Sequence, residues 1–292
     1  MINYRVIHTT IYNYSEPVSF CYNIARLEPR NTNSQICSSS FISITPQPDV
    51  IDEYEDFFGN KLVYFAIQHE HKNLTVTVTS DVTKSEVMLS PTETYNSMSW
   101  ELAKEQFGIN KSDFLEAREF IAETPVTAAD EEIIKYAMQS FTPGRPMFDS
   151  VYNLMQRIYE DFTYKPGFTT IATPLAEVMK ARKGVCQDFA HLAIACVRAM
   201  GLPARYISGY IETITPEGHE KLIGTDASHA WFAVYIPRIG WLDFDPTNNQ
   251  MPTTQYVTIG WARDYFDIAP LKGVVLSSGS HQLSVSVDMR RI

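Results

Sequence analysis

The sequence predicts an α+β protein in which a β-sandwich precedes a mixed helix and strand core. Three observations predict it. Residues 1–100 carry short β-branched and aromatic runs with no helical period. Residues 112–200 carry helical stripes and cap signals. Strand-forming runs return after Gly201, without the strand–helix alternation of a parallel sheet. Two domains are expected, 1–100 and 101–292, with the boundary somewhere in 85–110.

In the first unit, residues 4–12 are rich in β-branched and aromatic side chains, and 41–45 and 74–79 alternate. Residues 62–67 form a short apolar run. Pro46 and Pro48, Gly59-Asn60 and Lys72-Asn73 supply turn signals. In the second unit, Ser112 is placed to cap a helix at 112–116, and Thr127 with Asp130 reads as a capping box. Asp149 is placed to cap a helix carrying Leu154, Ile158 and Phe162 on one face. Thr173-Pro174 reads as an N-cap followed by Pro at the first helical position. An apolar helix over 186–200 ends at Gly201, with Pro203 beyond. Strands are predicted at 205–211, 231–236, 256–259 and 283–287.

The chain has 292 residues, 45% of them hydrophobic, enough for a sizeable core. A net charge of −10 and the lack of a long Lys/Arg run argue against nucleic-acid binding. No apolar run reaches the ~18 residues that span a membrane. Met1-Ile2-Asn3-Tyr4-Arg5 does not open like a signal peptide, so a cytoplasmic location is expected. Four cysteines without a C-x-x-C pair give neither a zinc ribbon nor a thioredoxin motif. Free thiols are the expectation, with Cys21 and Cys37 able to bridge only in an oxidising compartment. No calcium loop is present, and no metal or cofactor is expected.

Three motifs carry the chemistry. Cys186 lies in Gly184-Val185-Cys186-Gln187-Asp188-Phe189-Ala190-His191, at the start of the apolar helix. A thiol there gains thiolate character from the helix dipole, and the unpaired first N–H groups can hold an oxyanion. Gly184 is read as permitting a tight turn before the helix. His229 lies in Ser228-His229-Ala230-Trp231 at the start of a strand, behind a polar, turn-like stretch at 216–220. Asp245 ends a strand in Trp241-Leu242-Asp243-Phe244-Asp245-Pro246-Thr247, with Asp243 on the same face as its competitor. Singly, each has an ordinary reading: a buried cysteine, a hydrogen-bonded histidine, an Asp-Pro turn. In this order they are the parts for acyl transfer through a thioester. A zinc site from the same residues lacks close ligand pairs. His191 falls on another helix face and is read as packing, Asp188 as a charge complementing the dipole. His69 and His71 are read as exposed positions on one strand face.

With these motifs the chain resembles the bacterial transglutaminase-like cysteine protease family over nearly its whole length. Ala199-Met200-Gly201-Leu202-Pro203-Ala204-Arg205 and the run from Gly260-Trp261-Ala262-Arg263-Asp264 to Gly273-Val274 also match it. Tyr4-Arg5-Val6-Ile7-His8-Thr9-Thr10 and Tyr14-Ser15-Glu16-Pro17-Val18 resemble its N-terminal β-rich domain. The resemblance implies a papain-like, transglutaminase-like cysteine protease core with Cys186 as nucleophile, His229 as base and Asp245 as orienting carboxylate. It favours Asp245 over Asp243, because the family's carboxylate directly precedes Pro. The resemblance covers hydrolases, transamidating cross-linkers and inactive members alike; an amide-bond hydrolase acting on a protein or peptide is the leading reading because water is always available as acceptor, with transamidation or a catalytically silent peptide-binding scaffold as alternatives. Tyr164, Gln187 and Trp231 are the candidate oxyanion or cleft residues. Arg263, Asp264 and Asp267 are expected to form a structural polar network. Oligomeric state stays open.

Overall fold

The structure, a computed structural model, describes residues 1–86, 97–108, 114–213 and 227–292. The expected cap at Ser112 and the polar stretch 216–220 lie outside the described residues. Six strands come first: β1 (Ile2–Val18), β2 (Phe20–Ala25), β3 (Gln35–Thr45), β4 (Val50–Glu55), β5 (Lys61–Ile67) and β6 (His71–Lys84). Then follow α1 (Trp100–Gly108), α2 (Leu115–Arg118), α3 (Glu131–Met138), α4 (Met147–Asp161), β7 (Thr163–Tyr164), α5 (Leu175–Ala181), β8 (Lys183–Gly184) and α6 (Cys186–Ala199). The chain closes with β9 (Ala204–Ile211), β10 (Ala227–Ile236), β11 (Gly240–Phe244), β12 (Tyr256–Ala262), α7 (Tyr265–Ile268), β13 (Leu271–Leu276) and β14 (His281–Arg291).

Two antiparallel four-stranded sheets form the sandwich, in the orders β14-β1-β6-β3 and β13-β2-β5-β4. The alternation seen in 74–79 runs through β6 and sends Leu74, Val76 and Val78 inward against Cys21, Phe65 and Ile67. Lys72-Asn73, read as a turn, lies inside β6, where Asn73 pairs with Asn13. Residues 271–292, placed by sequence in the second unit, pair instead with β1 and β2. A strand-forming run carries no mark of the sheet it will join; β1 and β2 each had one open ladder edge, and pairing there satisfies their N–H and C=O groups.

In the core, α6 packs on the antiparallel sheet β11-β10-β9-β12 and is wrapped by α3, α4 and α5. Asp188 through Arg198 are all buried, which explains a helix apolar on nearly every side. Leu154 and Ile158 are buried on α4, with Phe162 just past its end. The caps sit one to three residues away from their sequence assignments. Asp130 itself caps α3, accepting from Ile133 N at 2.9 Å, while Thr127 turns to Thr124 and Arg198. Pro146 and Pro174 occupy the N-cap positions of α4 and α5, so Asp149 lies within the first turn and Thr173 before the cap. A missing N–H costs nothing at a helix start, which lets proline displace a polar cap.

The sandwich grips the open edge of β12 with two side-chain amides. Gln35 donates to Thr258 O at 2.7 Å and accepts from Thr258 N at 2.8 Å. Asn60 does the same to Trp261, at 2.8 and 3.1 Å. They flank a bulge between Thr258 and Gly260. Beside them Arg30 and Arg205 both stack on Trp261, at 3.7 and 3.8 Å from its ring centre, and Arg205 also lies over Trp241. Tyr4, Val6, Val82 and Met289 of the sandwich share an apolar cluster with Tyr210, Val257 and Ile259 of the core.

Candidate active site

Cys186 is the first residue of α6. The chain reaches it through Arg182, which takes the left-handed conformation after α5, and through β8 paired in parallel with β7. Gly184 serves close approach rather than a turn: a Cβ there would lie 2.9 Å from both Cβ and Oδ2 of Asp188. That approach lets Asp188 Oδ2 accept from Val185 N at 2.8 Å, closing the helix start. The same oxygen accepts from Thr169 Oγ1 at 2.6 Å. Burial raises the Asp188 carboxyl, and the two donors pull against it. The first N–H groups of α6, that of Cys186 among them, have no carbonyl one turn earlier in the helix.

His229 stands near the start of β10, almost fully buried, opposite Gly209 of β9. Its Nε2 lies 2.7 Å from Asp245 Oδ2. A carboxylate there holds the proton on Nε2 and leaves Nδ1 as the second ring nitrogen. The Cys186 side chain also acts on the ring's protonation, and Asn248 Nδ2 lies 3.4 Å from Nε2. Burial alone would push the imidazolium down. The hydrogen bonds to Asp245 and Cys186, together with their charges, outweigh it and raise His229 to about 10.

Asp245 is fully buried, just beyond β11, and Pro246 forces the chain into a turn behind it. Oδ1 accepts from Thr247 N at 2.9 Å and Asn248 N at 3.4 Å. Oδ2 accepts from Tyr256 Oη at 2.6 Å and Asn248 Nδ2 at 2.7 Å, besides His229. Burial favours the neutral acid. The contacts of His229, Tyr256 and Asn248 overcome that and hold the carboxyl below its ordinary range. Asp243, its competitor on the same face, accepts from Trp231 Nε1 at 3.0 Å.

Trp231, expected in the cleft, is fully buried, and its N–H is taken by Asp243. Strand alternation explains this: Ala230, Phe232 and Val234 join the core under α6, while Trp231 and Ala233 join Ile207 and Tyr256 in a separate cluster. Its ring meets Tyr256 edge-on at 5.3 Å and lies 6.0 Å from His229. Gly209 makes the space; a Cβ there would lie 2.4 Å from the indole and 2.3 Å from Val257 O. Trp231 is thus a support beneath His229. Tyr164 ends β7 opposite Gly184 and is raised by burial and by its neighbour Cys186. Gln187 is half-buried in the first turn of α6.

His191 accepts from Tyr265 N at 3.1 Å and packs 5.0 Å from Tyr206. Burial, aided by Arg198, pushes it down to about 3, so it stays neutral and structural. Arg263 pairs with Asp267 at 2.7 Å, and Asp264 caps α7. His71 differs from its reading as an exposed residue: it is buried, 3.7 Å from Cys21 Sγ. No group of three metal-ligating residues occurs among the described residues.

Two contributors escaped the sequence. Asn248 could have been found from Asp-Pro-Thr-Asn, a polar turn in which the Asp side chain captures following N–H groups. Tyr256 has no such signal, since eleven residues separate it from Asp245. Tyr256→Phe is expected to cost about 1–2 kcal/mol, because Gln250 Nε2 also loses the hydroxyl it meets at 2.6 Å. Urea unfolding measures this, and an unchanged midpoint would show the hydroxyl contributes nothing.

The arrangement defines a thiol-centred site on an α+β core. Residues 4–83 match the bacterial transglutaminase-like N-terminal region, and residues 135–246 match the transglutaminase-like superfamily. The chain belongs to the transglutaminase-like superfamily and carries that bacterial N-terminal region. An uncharacterised protein of Mycobacterium tuberculosis is 41% identical, over 98% of this chain and 92% of the relative. A protein-glutamine gamma-glutamyltransferase of Pseudomonas aeruginosa is 34% identical over 34% of this chain and 15% of its own. The crystal structure of a "Putative Cysteine Protease" from Cytophaga hutchinsonii matches with a TM-score of 0.79 at 22% identity, over 100% of this chain and 91% of that one. It shares the fold. No helix among the described residues is long and apolar enough to cross a membrane.

Proposed function

We propose that this chain hydrolyses an amide bond in a protein or peptide through a thioester on Cys186. The observation that carries the reading is the nearly buried His229 ring, 2.7 Å from Asp245 Oδ2 and close enough to Cys186 for that side chain to act on its protonation. The thiol proton resides on Nδ1, and the thiolate attacks the carbonyl carbon. The oxyanion is met by the first backbone N–H groups of α6, with Tyr164 and Gln187 beside the approach. As the C–N bond breaks, His229 gives its Nδ1 proton to the leaving nitrogen, and ammonia or an amine departs. Water then gives a proton to Nδ1 and attacks the thioester. The C–S bond breaks, a carboxylic acid leaves and the thiolate returns. Asp245 keeps Nε2–H in place throughout and steadies the imidazolium.

Transamidation is the second reading, favoured by the partial match to the Pseudomonas aeruginosa glutamyltransferase. In it a primary amine replaces water at the thioester. Incubating β-casein with the protein, with and without a fluorescent primary amine, separates the two by mass spectrometry. Hydrolysis is expected to yield deamidated or cleaved chains in both. The amine adduct as main product would sink the hydrolase reading, and turnover surviving in Cys186→Ala would sink both.

A further inference from the structure

The stretch from the end of β7 to α5, tied to the chain on both sides of Cys186, exposes large apolar groups. Tyr164, Phe168 and Ile171 are 50%, 40% and 54% exposed. The loop is not loosely hung. Lys165 N donates to Gly184 O at 2.8 Å, two residues before Cys186. Thr169 Oγ1 reaches Asp188 Oδ2 at 2.6 Å, two residues after it. Thr170 N donates to Thr173 Oγ1 at 2.9 Å, and Gly167 takes the positive φ that the turn requires. Phe168 lies between the first two anchors in sequence, one residue from the Thr169 bond. An anchored loop tip normally presents polar groups. Three large exposed apolar side chains within eight residues, on a loop fastened to the residues flanking Cys186, make a surface suited to another apolar group.

We propose that Tyr164, Phe168 and Ile171 form a recognition wall that selects amide donors with an apolar or aromatic side chain flanking the scissile carbonyl. This rests on the thioester reading of Cys186. The loop is fastened two residues before and two residues after Cys186, so a substrate whose carbonyl meets the thiol has its neighbouring side chain on the loop's side of the site. Burial against the wall then discriminates it from a polar side chain by about tenfold or more.

Two alkylating reagents test this on the full chain: iodoacetamide and N-(2-phenylethyl)iodoacetamide, each rate normalised to free cysteine and read at Cys186 by peptide mass mapping. The phenylethyl reagent is expected to label Cys186 at least tenfold faster, with no such preference at half-buried Cys37. Phe168→Ser with Ile171→Ser should erase the preference, and the paired leucine variants should retain it. Equal normalised rates in the native protein would overturn the wall, while His229-dependent labelling by iodoacetamide would leave the thioester reading standing. Labelling no faster than at Cys37 by either reagent would overturn both. A serine pair that changes the mass in light scattering and not the preference would make the patch a contact between copies and dismiss the wall.

Discussion

Alkylation of Cys186 by iodoacetamide is expected to depend less steeply on pH than in His229→Ala, whose rate should climb about tenfold per pH unit below ~8.5, as for an unassisted thiol. The sign follows from His229. Its partners raise it to about 10, so the imidazolium is the dominant form at neutral pH and is lost only as pH rises through that value. Below it, the ring keeps its proton and stands as a cation beside the sulfur. Removing the ring removes both the proton's resting place and the adjacent cation. Asp245→Asn should give an intermediate slope: an amide still accepts from Nε2–H but carries no charge to stabilise the imidazolium. On an amide substrate, His229→Ala should lower kcat by about a thousandfold or more. Rates measured across pH with peptide mapping decide the matter. A steep slope in the native protein, equal to that of His229→Ala, would remove the ion pair from the account.

Arg198→Met should produce the largest loss of stability, about 3–5 kcal/mol, or roughly 10 °C in melting temperature. Arg198 is 3% exposed and sits near the end of α6. Its guanidinium donates to Phe120 O, Ala204 O, Arg263 O and Thr127 Oγ1, at 2.7–3.2 Å. These acceptors belong to four different segments, and a planar fork is the only side chain that reaches them together. Burial pulls the guanidinium down to about 10, so the charge costs something to keep there. Methionine relieves that cost but leaves buried carbonyls without donors, and the second effect is larger. Arg198→Lys should recover little, since a point charge cannot serve the same directions. Thermal unfolding of both variants checks this, and a methionine variant within 1 kcal/mol of the native chain would mean that water replaces the guanidinium.

The order of elements along the chain was legible because periodicity is local. The alternation of 74–79 and the apolar helix from Cys186 to Gly201 each announce their own geometry within a few residues. The strand Leu271–Leu276 was missed; most of it is exposed at a sheet edge and it contains Gly273, so it lacks a buried alternating face. Capping assignments slipped for a related reason. Several residues near a helix start are competent caps, and which one is used depends on how the chain enters, as Pro146 and Pro174 show.

Within the site, residue type and order pointed to Cys186, His229 and Asp245, since few side chains can serve as nucleophile, base and orienting carboxylate. What they could not convey was the choice between equivalent groups. Asp243 and Asp245 share a strand face, and only the sheet's register gives Asp245 to His229 and Asp243 to Trp231. Trp231 reads as a cleft residue from its place beside His229, yet packing against Tyr256 over the bare Cα of Gly209 buries it. Short-range pattern and residue type were enough for the elements with a clear period and for the superfamily, and they nominated Cys186, His229 and Asp245 as candidates. The tertiary structure alone decided that the two chain ends build one sandwich, that Gln35 and Asn60 seal the edge of β12, and that Tyr256 steadies Asp245. Those depend on contacts between residues far apart in the chain, where geometry, not local propensity, selects the partner.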